Sequence, residues 1–234
     1  GPSPETTSVV TQILFHNTHF LAVDKPYYTL SVPPRFREVD TRTVLSQSLE
    51  KELNVRIWPV HRLDLEVSGV ILYALNADAH RSANGWFEGH QVAKRYEALT
   101  PVKELPSKVM TWKSRLVRGK KRAYERPFGK PSETEATLEK KSELAGDPLL
   151  VWTLRPKTGR PHQLRYELSK HEVPVLGDVL YGSTKPLAAE GAIALRSVGL
   201  DFSQVTGREA FGLPNVIETS GILEWYQNLI APPK

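Results

Sequence analysis

The sequence predicts an α+β fold, in which strand pairs joined by turns are interrupted by single helices. Three observations predict it: short apolar runs separated by turn residues recur along the 234 residues, helical patterns occur singly between them, and no internal repeat or linker divides the chain. Because 40% of the residues are apolar, a chain of this length can bury a substantial core. The α+β class therefore fits better than a doubly wound sheet.

Two segments predict antiparallel hairpins. Residues 13–26, ILFHNTHFLAVDKP, hold two apolar runs with the turn formers His16, Asn17 and Thr18 between them. Residues 134–156 hold two further runs on either side of a turn at 145–147. Each pair of runs is expected to form neighbouring strands, because a short turn brings consecutive strands side by side.

Helices and further strands are predicted from periodicity. Amphipathic patterns indicate helices over 41–53, 78–90, 158–172 and 221–230. Asp40 or Thr41 is the expected N-cap of the first helix. Thr158 or Gly159 is expected near the start of the third, with Pro161 in its first turn. Extended structure is predicted as a loop over 29–36 and strands over 67–75, 92–100 and 191–202, the last as one strand or a pair.

Composition excludes several classes of protein. No cysteine is present, which excludes disulfides, cysteine-ligated metal centres and thiol catalysis. The apolar runs are far shorter than the roughly 18 residues that a membrane span needs, and the N-terminal segment lacks the features of a signal peptide. We therefore expect a cytoplasmic protein with no membrane partner.

Motifs for nucleotide, metal and hydrolase chemistry are missing from the sequence. It contains no GxxxxGK[ST], GxGxxG or HExxH pattern, and its seven histidines lack the spacing of a metal site. Ser68, between Val67 and Gly69, does not lie in a G-x-S-x-G elbow. These absences argue against a phosphate-binding nucleotide loop, metal catalysis and a hydrolase triad.

Positive charge is concentrated in residues 113–130, which we call the basic segment. The chain has a net charge of +5, and the segment contributes +7 (eight Lys or Arg against one acid), so the remainder sums to −2. Two interpretations stay open: a solvated surface loop, or a phosphate-contacting arm whose Tyr124 and Phe128 stack on bases. Repulsion among like charges predicts a mobile segment until a polyanion binds. The basic residues are Lys113, Arg115, Arg118, Lys120, Lys121, Arg122, Arg126 and Lys130.

Charged residues also stand directly ahead of VILYAL, the most apolar run. Residues 61–69, HRLDLEVSG, place His61, Arg62 and Asp64 at the mouth of the predicted strand. A buried strand would hold such groups rigidly at the edge of a cleft, where they can do chemistry. Alternatively, Arg62 and Asp64 pair and solvate a turn. A glycosidase-like pair of carboxylates, Asp64 and Glu66, is a further interpretation.

A second polar cluster surrounds the start of the helix predicted over 158–172. Its members are Arg160, His162, Gln163 and Arg165. Leu164 and Leu168 share the face that packs on the core. Arg165, beside this apolar stripe, is expected to offer its bidentate fork to Asp64 and to hold it ionised. Asp64 would then be a nucleophile or a base, and a buried salt bridge that joins helix and strand is the alternative.

Four ordered motifs resemble those of the RluA-type RNA pseudouridine synthases. HRLDLEVSGV resembles that family's HRLDxxTSG motif, AKRYEAL its K-x-Y-x-A motif, TGRPHQLRYEL its TGRxHQ[IL]R motif, and GDVLYG its G-D-x-x-Y-G motif. The segment LFHNTHFLAVDKP also resembles the family's opening strand pair, and order and spacing match from about residue 12 to about residue 205.

The resemblance implies an enzyme that isomerises uridines of transfer or ribosomal RNA to pseudouridine without a cofactor. It implies one catalytic domain over 12–234 behind a tail of residues 1–11, built on a bent, mainly antiparallel mixed sheet flanked by helices, with a central cleft. Because no room is left ahead of residue 12 for an S4 RNA-binding module, we expect a stand-alone member. It would bind an RNA stem-loop without an obligatory protein partner. We expect a monomer, because the sequence shows no obvious apolar interface stripe.

The same resemblance implies roles for individual residues. Asp64 is implied as the catalytic aspartate, with Arg165 as its ion-pair partner. Tyr96 is implied to stack on the uracil ring and is a candidate for removing the C5 proton. Leu164 is implied to pack against the base, and Arg62 to fill the gap left by the flipped uridine. Residues implied to shape or contact the substrate are His61, Gly159, Arg160, His162 and Gln163.

Some positions depart from the motifs or carry no expected chemistry. Val67 stands where threonine is usual, and Pro161 replaces a polar residue, so we expect altered loop geometry and a stiffer entry to the helix. Asp24 and Asp178 match motif positions that are expected to be structural. Two rival functions stay open: a non-catalytic RNA-binding protein that uses the same cleft, and an N-glycosidase that hydrolyses the same bond.

Overall fold

The computed structural model describes residues 11–34 and 42–231, which form one continuous sheet of eleven strands with four α-helices. The strands are β1 (Gln12–His16), β2 (Phe20–Lys25), β3 (Trp58–Pro59), β4 (Ser68–Ala74), β5 (Ala93–Thr100), β6 (Val109–Arg118), β7 (Ala123–Glu125), β8 (Lys130–Leu144), β9 (Asp147–Pro156), β10 (Leu195–Asp201) and β11 (Val216–Glu218). The helices are α1 (Leu45–Leu53), α2 (Ala77–Glu88), α3 (Gln163–Lys170) and α4 (Ile222–Ile230).

The sheet is mixed and mainly antiparallel. Its strand order is β1-β2-β4-β10-β5-β9-β8-β6-β7, with β3 beside β4 and β11 beside β10. β4 and β10 run parallel, whereas the other paired strands of the described residues are antiparallel. Parallel neighbours need a long connection, and here it contains α2, β5 to β9 and α3. The predicted α+β class and mixed sheet are confirmed.

The middle of the sheet is buried on both faces. In β2, Leu21 and Val23 belong to one core with residues of α1 and α3. Phe20 and Ala22 of the same strand belong to a second core with Trp86 of α2. Successive residues of β4 divide between the two cores in the same way. Because both faces of β4 are covered, its sequence is a continuous apolar run rather than an alternating one.

Both predicted hairpins are confirmed. β1 and β2 pair through a turn in which the Asn17 side chain accepts hydrogen bonds from the N–H groups of His19 and Phe20, each at 2.8 Å. β8 and β9 pair through a turn at Ala145 and Gly146, whose φ angles are 51° and 82°. Two consecutive residues with positive φ form the turn whose twist matches that of the flanking strands.

The first helix begins later than predicted. α1 starts at Leu45, and Val44 occupies the N-cap position with no side-chain hydrogen bond. The predicted caps Asp40 and Thr41 lie outside the described residues. The N–H of Leu45 instead donates to the carbonyl of Leu30 (2.8 Å), so a backbone contact with a distant segment satisfies a group at the helix start.

The third helix also begins later than predicted, at Gln163 rather than near Thr158 or Gly159. The Gln163 side chain accepts from the hydroxyl of Thr158 (2.7 Å) and from the N–H of Arg160 (3.1 Å), which holds the preceding residues as a loop. His162 adopts a left-handed φ of 55° at the junction. Pro161 therefore lies ahead of the helix and not in its first turn.

The basic segment forms strands, so its interpretation as a surface loop is wrong, and its mobility stays a prediction. It comprises the end of β6, a turn, β7, a second turn and the first residue of β8, and β6 pairs with both β7 and β8. Ser114 and Leu116 are buried, whereas Lys113 and Arg115, which alternate with them, are exposed. This alternation suits a half-buried strand, which points its charges to solvent.

Short and charged strands were not predicted. β3, β6, β7 and β11 lack a long apolar run. Residues 191–202 contain the single strand β10 (Leu195–Asp201), whose neighbour β11 comes from later in the chain. Within residues 11–34 and 42–231, no helix is long and apolar enough to cross a membrane. In the same ranges, no group of three or more His, Cys, Asp or Glu is placed to hold a metal ion.

Candidate active site

Asp64 lies in the turn that leads into β4. The N–H of Val67 donates to the carbonyl of Asp64 (3.1 Å), and Lys25 Nζ donates to the carbonyl of the residue after Asp64 (3.2 Å). Gly69 then brings β4 close to β10: its φ is +117°, and a Cβ there would lie 2.0 Å from the carbonyl oxygen of Ser197. These contacts fix the position of Asp64 at the start of a buried strand.

Arg165 of α3 is the buried cation of the site, with a side chain 2% exposed. Its Nη1 donates to Asp64 Oδ2 (3.2 Å) and to Glu66 Oε2 (3.3 Å). Its Nε and Nη2 donate to the two oxygens of Asp178 at 2.7 and 2.8 Å. Burial lowers the pKa of Arg165, but hydrogen bonds to Asp178 and the charges of Asp178, Asp64 and Glu66 outweigh burial and raise it. Arg165 is therefore permanently charged.

The fork of Arg165 goes to Asp178, which corrects the expectation that it goes to Asp64. Asp178 is 1% exposed, so both of its oxygens need donors within the protein. Asp64 is 30% exposed and can be solvated by water. Consequently Asp64 receives one hydrogen bond from Arg165, and its Oδ1 has no donor among the described residues.

His162 and Tyr181 connect Arg165 to β7. His162 Nδ1 lies 2.8 Å from Tyr181 Oη, which also accepts from the N–H of Ala123 (2.8 Å). His162 Nε2 lies 3.4 Å from Arg165 Nη1 and 3.8 Å from Asp64 Oδ2. Burial lowers the pKa of His162; Asp64 opposes this shift and Arg165 adds to it. The imidazole is therefore neutral at pH 7 and supports the site without adding charge.

A cleft of about 640 Å³ opens beside Asp64. All nine residues predicted to be catalytic or substrate-binding line it: His61, Arg62, Asp64, Tyr96, Arg160, His162, Gln163, Leu164 and Arg165. Gly159 also lines it, as expected. Burial and then the charge of Asp64 raise the pKa of Tyr96, so this side chain is a neutral phenol. The structure brings the predicted site together, and the roles of its residues stay predictions.

Two of the lining residues are engaged by the protein itself. Gln163 is buried and donates from Nε2 to the carbonyl of Glu133 (3.1 Å). His61 accepts from the N–H of Leu72 in β4 (2.9 Å), and its ring stacks on Phe87 with centroids 4.4 Å apart. Burial, and then a nearby lysine ammonium, lower the pKa of His61 to about 3. Both side chains therefore hold the walls of the cleft in place.

The basic segment is divided between two grooves. Residues 118–122, which we call the basic turn, line the same cleft as Asp64; their charged members are Arg118, Lys120, Lys121 and Arg122. A separate groove of about 850 Å³ is lined by Lys113, Arg115 and Arg126 together with Glu125 and Glu133. Lys130 lines neither groove. The basic turn is therefore the part of the segment nearest to the predicted chemistry.

Three residues near Asp64 were not predicted to contribute. Lys25 is fully buried and donates to the carbonyls of Pro26, Thr29 and Leu65 at 3.0, 2.7 and 3.2 Å. Lys94 lines the cleft, and Tyr181 contacts His162. Each belongs to a segment that resembles a family motif. That position in a motif was the sequence signal that could have indicated a place near the site.

The chain matches the family model of RNA pseudouridylate synthases over residues 19–170. The chain belongs to the RNA pseudouridylate synthase family. It is 30% identical over 230 residues to tRNA pseudouridine synthase C of Salmonella typhimurium, an alignment that covers 93% of this chain and 88% of that protein. It is 31% identical over 192 residues to dual-specificity RNA pseudouridine synthase RluA of Escherichia coli K12, covering 79% of this chain and 83% of that protein.

Solved structures have the same fold as this RNA pseudouridine synthase. Human RNA Pseudouridylate Synthase Domain Containing 1 superposes with a TM-score of 0.71 at 24% identity, covering 100% of this chain and 99% of that one. Together with the family match, this confirms the predicted family and fold. The protein is an isomerase that acts on RNA and converts uridine to pseudouridine.

Proposed function

We propose that this enzyme isomerises a uridine in a transfer or ribosomal RNA stem-loop, with Asp64 as its catalytic carboxylate. The placement of Asp64 carries the proposal: Arg165 binds its Oδ2 at 3.2 Å, and it lines a cleft shared with Tyr96. The similarity to proteins named tRNA pseudouridine synthase C and dual-specificity RNA pseudouridine synthase RluA supports these classes of RNA.

The reaction needs a positioned anion and no co-reactant. The N1–C1′ bond of uridine breaks and a C5–C1′ bond forms, while C5 loses a proton and N1 gains one. Asp64 can begin this sequence by adding to the base, by attacking C1′ or by taking the C2′ proton. Each of these steps needs a positioned carboxylate, and Arg165 Nη1 positions Asp64 by donating to its Oδ2 at 3.2 Å.

Tyr96 is proposed to stack on the uracil ring. It lies on the cleft wall formed by β5, where an aromatic face offers sequence-tolerant contact to a flipped base. The raised pKa of Tyr96 means that it is a neutral phenol at pH 7. Its hydroxyl can therefore take up the C5 proton only if its own proton passes to another group. The negative charge of Asp64 contributes to the raised pKa of Tyr96.

The rim of the cleft is proposed to hold the RNA while the uridine is flipped. Extruding a base costs a few kcal/mol, which contacts elsewhere must offset. Arg62 is exposed at this rim and has no ion-pair or hydrogen-bond partner among the described residues, so it is free to enter the gap in the RNA. Leu164 supplies an apolar surface for the base, and the basic turn supplies phosphate contacts.

We also infer that the enzyme acts as a cytoplasmic monomer without an obligatory protein partner, and that residues 12–234 form one catalytic domain. Continuity of the sheet across the described residues supports one domain. Isomerisation transfers no electrons and no external group, which supports a reaction without a metal or organic cofactor.

The proposal is tested by mapping pseudouridines in source cells with and without the gene. Carbodiimide adducts and primer extension are used on transfer and ribosomal RNA, and the deleted cells are complemented with wild type or Asp64→Asn. We expect one or a few sites to be lost, and to be restored by wild type alone. With purified protein, Asp64→Asn should slow isomerisation about a thousandfold or more, with RNA affinity nearly unchanged.

Glu66→Gln is the matched control, because it removes the other carboxylate bound to Arg165 Nη1. This variant should retain activity within about tenfold, since Glu66 does not line the cleft. Wild-type activity in Asp64→Asn would sink the proposal. Free uracil in the reaction mixture would indicate an N-glycosidase, and a phenotype rescued by Asp64→Asn would indicate a non-catalytic role in RNA binding.

A further inference from the structure

Lys94 lines the cleft, and no group among the described residues neutralises its charge. It lies on β5 two residues before Tyr96, and both side chains line the cleft. Burial alone lowers the pKa of Lys94, with no opposing contribution from a carboxylate. Among the described residues, no hydrogen-bond acceptor or acid contacts its Nζ.

The fully buried cations among the described residues all have partners, whereas Lys94 is partly buried. Lys25 donates to three carbonyls, Arg165 to three carboxylates, and Arg196 to both oxygens of Asp24. A buried charge without a partner is costly, so proteins seldom retain one. Lys94 departs from this pattern at the place where the RNA must enter.

Lys94 lines the cleft and is partly exposed, so a ligand can reach it. Its Nζ lies against Gly159, where an added Cβ would be 3.3 Å away, so a side chain at position 159 would crowd the ammonium. Arg160 and the basic turn line the same cleft and add positive potential. An anion brought into the cleft would supply the missing partner, and RNA carries one at every phosphate.

We propose that Lys94 binds a phosphate that flanks the flipped uridine and so fixes the nucleotide against Asp64. Two residues of strand separate Lys94 from Tyr96 by about 7 Å, which sets the phosphate contact apart from the base-stacking surface. Lys94 is a binding and positioning residue in this scheme. The inference rests on the proposed placement of the uridine in this cleft.

The first test measures the salt dependence of binding for the RNA identified by mapping, prepared as an unmodified transcript. Lys94→Met should weaken binding about tenfold and reduce the slope of log Kd against log salt by roughly 0.7 to 0.9, the value of one phosphate contact. Lys141→Met, which removes an exposed lysine of β8 that does not line the cleft, is the matched control and should leave both quantities unchanged. Lys94→Arg should restore most of the slope, and the melting temperature of each variant checks its folding.

The second test neutralises single phosphates of the same RNA. A methylphosphonate is placed on the 5′ or the 3′ side of the target uridine, and affinity is measured with wild type and Lys94→Met. One of the two substitutions should weaken binding to wild type about tenfold and have no effect on Lys94→Met, because the shared contact is already lost. Equal effects on both proteins at both positions would overturn the proposal.

Failure of this inference is distinguishable from failure of the proposed function. If Asp64→Asn is inactive but Lys94→Met keeps the wild-type salt slope, the cleft is catalytic and Lys94 binds no phosphate. If Lys94→Met loses activity but keeps the wild-type slope of log Kd against log salt, the proposal is likewise overturned, since Lys94 would then act on the chemistry. If Asp64→Asn is active, the placement of the uridine is wrong whatever Lys94 does.

Discussion

At the residue scale, the site is a network of three acids and two buried cations. Asp64, Glu66 and Asp178 share Arg165, and Lys25 lies where the charges of Asp64 and Glu66 also act on it. Removing one partner of such a network leaves a buried charge unsatisfied. The turn that carries Asp64 is therefore held in place by buried groups, and Lys25 is the clearest example.

Lys25 predicts a pH dependence of stability. Burial lowers the pKa of Lys25 to about 7 although Asp64, Glu66 and Asp24 oppose the shift. In the unfolded chain a lysine titrates near 10.4, so between about pH 7 and pH 10 the unfolded state binds a proton that the folded state lacks. The free energy of unfolding of the wild type minus that of Lys25→Met should therefore rise with pH across this window, by at most about 1.4 kcal/mol per pH unit.

Urea unfolding of both proteins at several pH values measures this difference. The difference in the free energy of unfolding should not change with pH below pH 7, where the Lys25 amine is protonated in both the folded and the unfolded state. Lys141→Met is the matched control, because this lysine is exposed and should give a difference that does not change with pH. A constant difference for Lys25→Met as well would mean that Lys25 keeps its proton in the folded protein.

At the element scale, the β6–β7 hairpin carries the basic turn to the cleft. Ala123 of β7 donates to Tyr181 Oη (2.8 Å), and the guanidinium of Arg122 lies 4.6 Å from the centre of the Tyr181 ring. Arg122 thus anchors the hairpin, whereas Lys120 and Lys121 are exposed beside the cleft. The hairpin therefore places these two charges at the cleft.

Neutralising the two lysines of the basic turn should weaken RNA binding. Lys120→Gln/Lys121→Gln should lower affinity and reduce the salt slope of log Kd by up to about 1.8, because two phosphate contacts are lost. Lys140→Gln/Lys141→Gln is the matched control: an adjacent pair of exposed lysines on β8, outside the cleft. Filter binding across a salt series measures both. If the two double variants behave alike, the basic turn does not contact the RNA.

At the scale of the whole molecule, two cores share the same strands. Residues of β2 and β4 alternate between the core that contains Trp152 and the core that contains Trp86. Because the same strands supply both cores, disrupting these strands on one face also disrupts the core on the other face. The two cores are therefore expected to unfold together, although chains of this size often unfold in steps.

Labelling with 5-fluorotryptophan tests this coupling, since the five tryptophans give separate fluorine signals. The signals of Trp86 and Trp152, assigned with single Trp→Phe variants, should disappear at the same urea concentration. Far-UV circular dichroism should give that midpoint as well. A Trp86 signal that disappears well before that of Trp152 would mean that the cores are independent.

The sequence by itself determined the local elements and the membership of the site. Alternating and amphipathic patterns predicted both hairpins, β4, β5 and the helices, because these patterns reflect which face of a local element is buried. The resemblance to family motifs predicted nine residues that line one cleft. These signals lie within short stretches of chain, where composition and spacing suffice.

Only the tertiary structure decided which side chains meet. Arg165 and Asp64 are 101 residues apart in the chain. Asp178 binds the arginine fork because it is buried whereas Asp64 is partly exposed, and no local pattern encodes this difference in exposure. The start of α3 depends on hydrogen bonds within the loop that precedes it. The strand structure of the basic segment depends on buried residues that alternate with its charges. The unpaired charge of Lys94 follows from the same cause, because partners and burial are properties of the folded chain.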